Sequence, residues 1–357
     1  MHPCRQAIFA ALLVLSAPGL RAQAASAPVD AVSLAHSPAF AGDADPVRLP
    51  EAVSPARPAA AKKIPSSKSY VLHADVEEVV LNVTVLKGTQ LVENLKKNNF
   101  QVDEDGVRQT IVSFQRTDLP VSMGLVIDNS GSMYRKRPAV NKAALDLILA
   151  SNPQDEAFVV NFSDEAFIDC DLTSDVNKLR QGLAHIDSRG GTALYDAVAA
   201  SADKLAADAK HPKQVLVIIT DGEDNASSLN LQQTIRRVQQ LSGPVIYSIG
   251  LLFGGDMSRA EAHNARRALQ DLSRETGGMA FFPRSIGQVD EIAAEVARDI
   301  RSQYTIGYHS TKPGAIPGFR QVVVTAKAGH MGKLTVRTRT GYFPAPLPGT
   351  QGAAASH

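Results

Sequence analysis

The chain has 357 residues, of which 44% are hydrophobic and 20% are charged, and its net charge at pH 7 is +1. This length suits roughly two domains with ordinary buried cores. The near-neutral charge excludes the strongly basic surface used to bind nucleic acids, and two cysteines exclude a disulfide-rich scaffold.

The first 24 residues have the pattern of an export signal. Arg5 precedes an uncharged stretch from Ala7 to Ala17, and Ala22-Gln23-Ala24 places small residues where a signal peptidase cleaves. We therefore expect residues 1–24 to be removed from an exported protein, periplasmic or extracellular. The apolar run is shorter than the roughly 20 residues of a membrane span, and no later segment qualifies, so no membrane span is expected.

Cleavage would remove Cys4 and two arginines, leaving 35 basic residues against 36 acidic ones and one cysteine. A single cysteine cannot form an internal disulfide, so stability must come from packing. Asp169 and Asp171 flank the remaining Cys170 and would raise its pKa, which predicts an unreactive strand residue.

Composition divides the rest of the amino-terminal part. Residues 25–69 are rich in Ala, Pro and Ser without strand or helix periodicity, so we expect a disordered linker. Residues 70–117 form a β-rich flank, because hydrophobic alternation recurs and Asp105-Gly106 marks a turn. The predicted strands are Glu78–Val85, Phe100–Glu104 and Gln109–Phe114.

From residue 118 to 303, apolar strands alternate with amphipathic helices, which predicts a mainly parallel, doubly wound α/β sheet. The predicted strands are Ser122–Ile127, Ala157–Phe162, Gln214–Thr220, Val245–Leu251 and Met279–Phe282. The predicted helices are Ala139–Leu149, Val176–Ile186, Ala193–Ala207, Leu231–Leu241, Arg259–Glu275 and Val289–Ser302. Ala166–Leu172 follows the preceding strand too closely for a crossover helix, so we expect one antiparallel edge strand there.

Strand periodicity returns in residues 304–345, before a tail, 346–357, that we expect to be disordered. The strands predicted here are Gln303–Tyr308, Gln321–Ala326 and Lys333–Thr338. Neither flank is large enough to close a core alone. The two flanks are therefore expected to form one small β-sandwich, with the α/β domain inserted and residues 76–115 close to residues 304–343.

Oxygen-bearing side chains follow three separated strands or turns of the α/β region. The candidate metal ligands are Asp128, Ser130, Ser132, Thr192 and Asp221. All are expected at the edge of the sheet where open α/β folds hold ligands. Two carboxylates and three hydroxyls suit a hard cation, so Mg²⁺ is expected first, with Mn²⁺ or Ca²⁺ also compatible.

These five side chains do not fill the coordination shell of such a cation. The open position would suit an acidic group of another protein. Metal-assisted hydrolysis is an alternative, although no general base is obvious, and a purely structural cation is another. Singly, each motif also fits a helix cap or a turn. Arg135, Lys136 and Arg137 either attract acidic ligands or simply lie at an exposed helix entry.

Together, Asp128-x-Ser130-x-Ser132, Gly191-Thr192 and Thr220-Asp221-Gly222 resemble the metal-ion-dependent adhesion site of von Willebrand factor type A domains. The flanking motifs resemble those of exported bacterial, acidobacterial-type VWFA-related proteins. These motifs are Phe100-x-Val-x-Glu104-Asp105-Gly106, Tyr304-x-Ile-Gly-Tyr308 and Arg339-x-Gly-Tyr342.

The resemblance implies a non-enzymatic binding module. Ser130, Ser132 and Thr192 would coordinate the cation, and Asp128 and Asp221 would hold it directly or through water. A partner protein would supply an Asp or Glu carboxylate. We also hypothesise that binding displaces the last helix, Val289–Ser302, and through it the sandwich.

Overall fold

The computed structural model describes residues 78–344, apart from 117, 187, 242, 255, 256, 313, 315 and 330. These residues belong to one compact unit, Val71–His357. The predicted signal peptide, linker and carboxyl-terminal tail lie outside the described residues. Within the described part of the chain, no helix combines the length and apolarity needed to cross a bilayer.

Among the described residues, five strands precede the α/β region, and the longer ones partly alternate buried and more exposed side chains, as half-covered strands do. They are β1 (Glu78–Lys87), β2 (Gln90–Leu91), β3 (Phe100–Glu104), β4 (Val107–Gln109) and β5 (Ile111–Gln115). The single strand predicted over Gln109–Phe114 was wrong, because Thr110 separates β4 from β5 and the two belong to different sheets.

Within its described residues, the α/β region contains six strands and six α-helices. The strands are β6 (Val121–Asp128), β7 (Glu156–Phe162), β8 (Ala166–Thr173), β9 (Lys213–Thr220), β10 (Val245–Gly250) and β11 (Ala280–Phe281). The helices are α1 (Arg137–Leu149), α2 (Val176–Ala184), α3 (Leu194–Asp208), α4 (Leu231–Gln240), α5 (Arg259–Thr276) and α6 (Val289–Arg301).

The six strands form one sheet in the order β11-β10-β9-β6-β7-β8. All neighbours are parallel except β7 and β8, which are antiparallel. The predicted doubly wound sheet with one antiparallel edge strand is therefore confirmed. Hydrophobic clusters cover both faces, one including Leu125 and Val296 and the other including Phe158 and Leu216.

The edge strand β8 contains Cys170, which is half-buried. Burial and, to a smaller extent, the neighbouring Asp171 carboxylate raise the pKa of its thiol. The predicted unreactive strand cysteine is therefore consistent with its surroundings, since the thiolate is the reactive species.

In the described part of the chain, four strands follow the α/β region: β12 (Tyr304–His309), β13 (Arg320–Ala326), β14 (Thr335–Arg337) and β15 (Gly341–Tyr342). They combine with β1–β5 into two sheets, one ordered β14-β1-β12-β5 with β2 on β1, the other β15-β13-β3-β4. Val80 lies opposite Gly307, and Val102 lies opposite Val324. The expected approach of the two flanks is confirmed.

One buried carboxylate, Glu104 of β3, joins both flanks inside this sandwich. It accepts hydrogen bonds from the hydroxyls of Tyr308 at 2.7 Å, Tyr342 at 3.0 Å and Ser310 at 2.6 Å. The Arg320 guanidinium lies 3.5 Å away, and both charged side chains are nearly inaccessible. Burial of a carboxylate without partners is costly, so these three hydroxyls and the guanidinium stabilise an acidic residue at this position.

A second polar cluster connects α6 to the sandwich. Asp299 of α6 accepts hydrogen bonds from Arg337 of β14 at 2.7 Å and from Tyr247 of β10 at 2.6 Å. The Gln303 amide donates to the Tyr247 hydroxyl at 3.1 Å and lies 3.5 Å from Thr84 of β1. The carboxyl-terminal end of α6 is thus connected to β10 of the α/β sheet and to β1 and β14 of the sandwich.

Candidate functional site

The first loop of the site begins where β6 ends. Asp128, the last residue of β6, has no exposed surface. Its Oδ1 atom accepts a 2.8 Å hydrogen bond from the Ser130 amide, which folds the chain into a turn over Gly131–Met133. The turn places the Ser130 and Ser132 hydroxyl oxygens 3.2 Å apart.

The second loop depends on two glycines. Gly190 has φ +79°, and a Cβ atom there would lie 2.2 Å from Oδ2 of Asp164. A Cβ atom on Gly191 would lie 2.6 Å from Oδ1 of Asn225. Glycine allows this approach without displacing the Asp164 and Asn225 side chains. It lets the Thr192 amide donate to Asn225 at 2.8 Å and the Thr192 carbonyl accept from the Asn225 amide at 3.1 Å.

The third loop starts after β9, at Asp221. Oδ1 of Asp221 accepts a 2.7 Å hydrogen bond from the Ser132 hydroxyl. A Cβ atom on the next residue, Gly222, would lie 3.0 Å from the Thr192 hydroxyl oxygen. Asp221 is therefore in contact with the first loop, and its neighbour is in contact with the second.

The structure brings the five predicted ligands together at one edge of the sheet. Ser132, Thr192 and Asp221 line a cleft of about 300 Å³, which Phe253 and Glu261 also line. Asp128 and Ser130 are buried next to them. The cleft leaves the hydroxyl side of the cluster open toward solvent.

Burial dominates the electrostatics of Asp128. Removal from water raises its pKa to about 6, although hydrogen bonds from Ser130 and Thr220 act in the opposite direction. The nearby Asp221 charge also raises this pKa, more weakly. Two carboxylates held together in a poorly hydrated place favour a positive charge between them.

The alternative explanations by caps and turns hold only in part. Thr192 is not the N-cap of α3, because that position belongs to Ala193, which makes no side-chain cap. Instead, the third loop satisfies the start of α3: Asp224 accepts from the Tyr195 amide at 3.0 Å and the Ser227 hydroxyl from the Asp196 amide at 3.1 Å. Asp224 is therefore a capping residue, and the Thr192 hydroxyl makes no hydrogen bond within the described residues.

The three consecutive basic residues after the first loop have different environments. Arg135 is exposed, and the Lys136 ammonium lies 2.5 Å from Oδ2 of Asp221. Arg137 is completely buried, where it donates to the Asp128 carbonyl at 3.2 Å and to Asn161 at 2.8 Å. Burial lowers its pKa to about 10. The expectation that all three lie at an exposed helix entry or attract ligands was wrong for Arg137.

Several residues that shape the site were missed by the sequence analysis. Thr220 donates to Oδ2 of Asp128 at 2.5 Å, and Asn129 accepts from the Ser188 amide at 3.2 Å. Asn225 joins the second and third loops. The signal for Thr220 was its place at the end of a buried strand, directly before Asp221.

The donor set fits a magnesium-sized cation. Mg²⁺ prefers octahedral bonds of about 2.0–2.1 Å, which place neighbouring ligand oxygens about 3 Å apart. The 3.2 Å between the Ser130 and Ser132 hydroxyls is close to that separation. Ser132 can coordinate through a lone pair while still donating its proton to Asp221. No group of three or more His, Cys, Asp or Glu suited to a metal occurs within residues 78–344 as described.

Several solved structures are similar to parts of this chain. Among solved structures, a von Willebrand factor type A protein from Catenulispora acidiphila is 14% identical with a TM-score of 0.45, over 70% of this chain and 75% of that one. The vWF domain of the type V pili tip protein Mfa5 from Porphyromonas gingivalis is 13% identical with a TM-score of 0.42, over 52% of this chain and 96% of that one. No curated protein sequence matches significantly.

The sequence itself carries the stronger match. Residues 123–223 match the profile of the von Willebrand factor type A domain. That span begins in β6, ends just after Asp221 and contains all five candidate ligands. Residues 123–223 of the α/β domain are therefore similar to the von Willebrand factor type A domain family.

Proposed function

We propose that the chain is an exported, non-enzymatic binding module. Its α/β domain would capture an acidic group of a partner protein through a divalent cation, Mg²⁺ first and Mn²⁺ or Ca²⁺ as alternatives. The observation that carries this proposal is the convergence of oxygen side chains from three loops beside an open cleft.

Each ligand has a role that its contacts support. Ser130, Ser132 and Thr192 offer neutral oxygens, and Asp128 and Asp221 supply the negative charge. When bound, the cation would act as a Lewis acid that holds a partner's Asp or Glu carboxylate. Because the cleft opens beside Ser132 and Thr192, a partner can approach from solvent.

The cleft gives less support to a hydrolase. None of its described lining residues is His or Cys. Asp224 is held by the start of α3, and Glu261 accepts a 2.8 Å hydrogen bond from the Ser258 amide at the start of α5. Glu223 lines the cleft and is the candidate base if hydrolysis occurs. Magnesium-dependent turnover of a model ester or peptide, lost in Glu223→Gln, would favour the hydrolase.

A purely structural cation would be enclosed by protein ligands, as structural metal sites are. Here three of the donors, Ser132, Thr192 and Asp221, line an open cleft. The site is therefore better suited to a ligand that arrives from outside.

Export and the acidobacterial-type resemblance also belong to the proposal. Export is supported by the amino-terminal signal pattern. The finer resemblance is supported by Glu104, Tyr308 and Tyr342, which come from three of its motifs and share one buried hydrogen-bond cluster. A module of this kind would present its cleft to proteins of the cell envelope or the medium.

Affinity capture from the native cell envelope tests the proposal. The full chain is immobilised and exposed to envelope extract with magnesium or with EDTA, alongside the variants Ser132→Ala and Ser163→Ala. Ser163 lies just after β7 at the same edge of the sheet and serves as the matched control. We expect partners that require magnesium, are lost with Ser132→Ala and are kept with Ser163→Ala. A partner set unchanged by chelation would contradict the proposal.

A further inference from the structure

Lys136 places a positive charge inside the candidate cation site. It precedes α1, and its amide donates to the Met133 carbonyl at 2.8 Å, so the chain turns back toward the first loop. The Lys136 side chain is 15% exposed, and its ammonium contacts an Asp221 carboxylate whose side chain has no exposed surface. The ring of Phe253 lies 5.7 Å from the same ammonium.

This contact uses the Asp221 oxygen that Ser132 does not. Oδ1 accepts from the Ser132 hydroxyl and Oδ2 contacts Lys136, while both oxygens of Asp128 accept from Ser130 and Thr220. The Ser132 hydroxyl can rotate to serve a metal and a carboxylate together. An ammonium has no lone pair, so it cannot share its position with a cation in that way.

Charge leads to the same conclusion. Asp128 and Asp221 together supply two negative charges, and Lys136 neutralises one of them at contact distance. A divalent ion bound beside Asp221 would meet the ammonium as a like charge, in a place where the buried carboxylates are poorly screened by water.

We infer that Lys136 is a built-in competitor of the divalent cation: its ammonium pairs with Asp221, and the ion binds by displacing it. This inference rests on the proposed function, because it assumes that the cluster holds a divalent ion. Lys136 thereby sets the metal concentration at which the site fills. Once displaced, the ammonium lies at the rim of the cleft, on the side from which a partner carboxylate would approach.

A purely structural Lys136 predicts the opposite effect. If the lysine served only to orient Asp221 toward the metal, its removal would weaken metal binding. If it competes with the ion, its removal tightens binding. The direction of the change in metal affinity therefore separates the two roles.

The test measures binding of Mg²⁺ and Mn²⁺ to the full chain by calorimetry, with Mn²⁺ binding followed independently by electron paramagnetic resonance. The variants are Lys136→Met, the charge-conserving Lys136→Arg, and Arg135→Met, which removes the exposed neighbouring charge. We expect the dissociation constant of Lys136→Met to fall at least about tenfold, because one adjacent charge shifts ionic equilibria by about that much or more. Lys136→Arg and Arg135→Met should remain within about threefold of the parent chain.

Melting in EDTA provides a second readout. Lys136→Met should melt at a lower temperature than the parent chain in EDTA, because Asp221 loses its counter-charge, and the difference should shrink in saturating magnesium. Lys136→Gln provides the same comparison if the Met variant does not fold.

The outcomes also separate this inference from the proposed function. Metal affinity that is unchanged or weakened in Lys136→Met, in a parent chain that binds magnesium, would overturn the competition but keep the cation site. Absence of metal binding in both the parent chain and Lys136→Met would overturn both. Binding in Lys136→Met alone would support both.

Discussion

The hydroxyl of Thr220 donates a 2.5 Å hydrogen bond to the carboxylate of Asp128, where neither residue has any exposed surface. The two residues end neighbouring parallel strands, since Ile127 and Ile219 pair in the register of β6 and β9. The sheet itself thus holds the deepest acidic group of the site. Because the pairing of β6 with β9 fixes the position of Asp128, a substitution there should change its charge without moving the backbone.

Asp128→Asn should remove metal binding without weakening the metal-free fold at pH 7. Burial raises the pKa of Asp128 to about 6, so folding is more favourable when this carboxyl is protonated than when it is ionised. The unfolded chain ionises near pH 4. The free energy of unfolding in EDTA should therefore fall as pH rises from about 4 to about 6, by about 3 kcal/mol, and then level off.

Urea unfolding of both chains in EDTA at several pH values measures this contribution. Asp128→Asn should lack it, because an amide does not ionise. An Asp128→Asn chain that is much less stable than the parent at pH 7 would contradict the argument.

Magnesium affinity should decrease in acid. The metal needs the ionised carboxylate, so protons compete with it below the Asp128 pKa of about 6. We expect affinity to be level above pH 7 and to fall by about tenfold for each pH unit well below 6. Calorimetry in buffers of different ionisation enthalpy would also detect proton release near pH 6. Affinity independent of pH between 5 and 7 would argue against Asp128 as a ligand.

Thr192→Val should weaken metal binding while leaving the loop intact. The substitution keeps the side-chain shape and the backbone hydrogen bonds to Asn225 but removes the hydroxyl. Loss of one ligand oxygen should cost at least about tenfold in affinity. Thr192→Ser, which keeps the hydroxyl, should stay within about threefold. Equal affinities for the two variants would remove Thr192 from the ligand set.

Glu104→Gln should destabilise the sandwich. The change leaves Arg320 buried without the carboxylate 3.5 Å away, and breaking a buried pair typically costs about 3–5 kcal/mol. Asp103→Asn is the matched control, because Asp103 is the neighbouring residue of β3 and points to the other face. Its effect on the free energy of unfolding should stay within about 0.5 kcal/mol. Comparable losses in both variants would contradict a specific role for Glu104.

Arg337→Met tests the route by which the hypothesised movement of α6 would reach the sandwich. Arg337 of β14 and Asp299 of α6 form a partly buried ion pair 2.7 Å apart. Hydrogen exchange should increase in the last turn of α6 and in β14, and magnesium affinity should stay within about twofold. If α6 responds to metal, magnesium should change exchange in both elements of the parent chain but only in α6 of the variant. If magnesium does not change hydrogen exchange in α6 of the parent chain, the hypothesis that binding moves α6 is contradicted.

The elements of the α/β domain were predictable because each one depends on residues that are close together in the sequence. Apolar runs such as Lys213–Thr220 are buried on both faces, and helices such as α5 carry their own capping signals, here Ser258 with Glu261. The antiparallel β8 followed from the three residues between it and β7, which cannot hold a crossover. The gathering of Asp128, Ser130, Ser132 and Asp221 followed from the same pattern, because they lie at or just after the ends of the parallel strands β6 and β9, which end at one edge. Thr192 follows no parallel strand and reaches that edge from the loop between α2 and α3.

What the sequence did not indicate depends on contacts between distant elements. Arg135, Lys136 and Arg137 look equivalent in the sequence, yet the last is buried against carbonyls that α2 provides, including that of Leu183 at 3.3 Å. Likewise, one residue separates β4 from β5, but the two strands lie in opposite sheets. Periodicity specifies which face of a strand is apolar, and it does not specify which neighbour covers that face.

The insertion of the α/β domain between β5 and β12 also determines how the molecule would respond to tension. These strands are antiparallel neighbours, and the pair nearest the inserted domain is Gln115 with Thr305. If the proposed capture of a partner occurs, a pull on that partner would reach the sandwich through the ends of β5 and β12 that join the inserted domain. The ion pair of Arg301 with Asp118, 2.7 Å long, joins the end of α6 to the segment between β5 and β6. Together with the pair of Asp299 and Arg337, it is a contact that such a force would load.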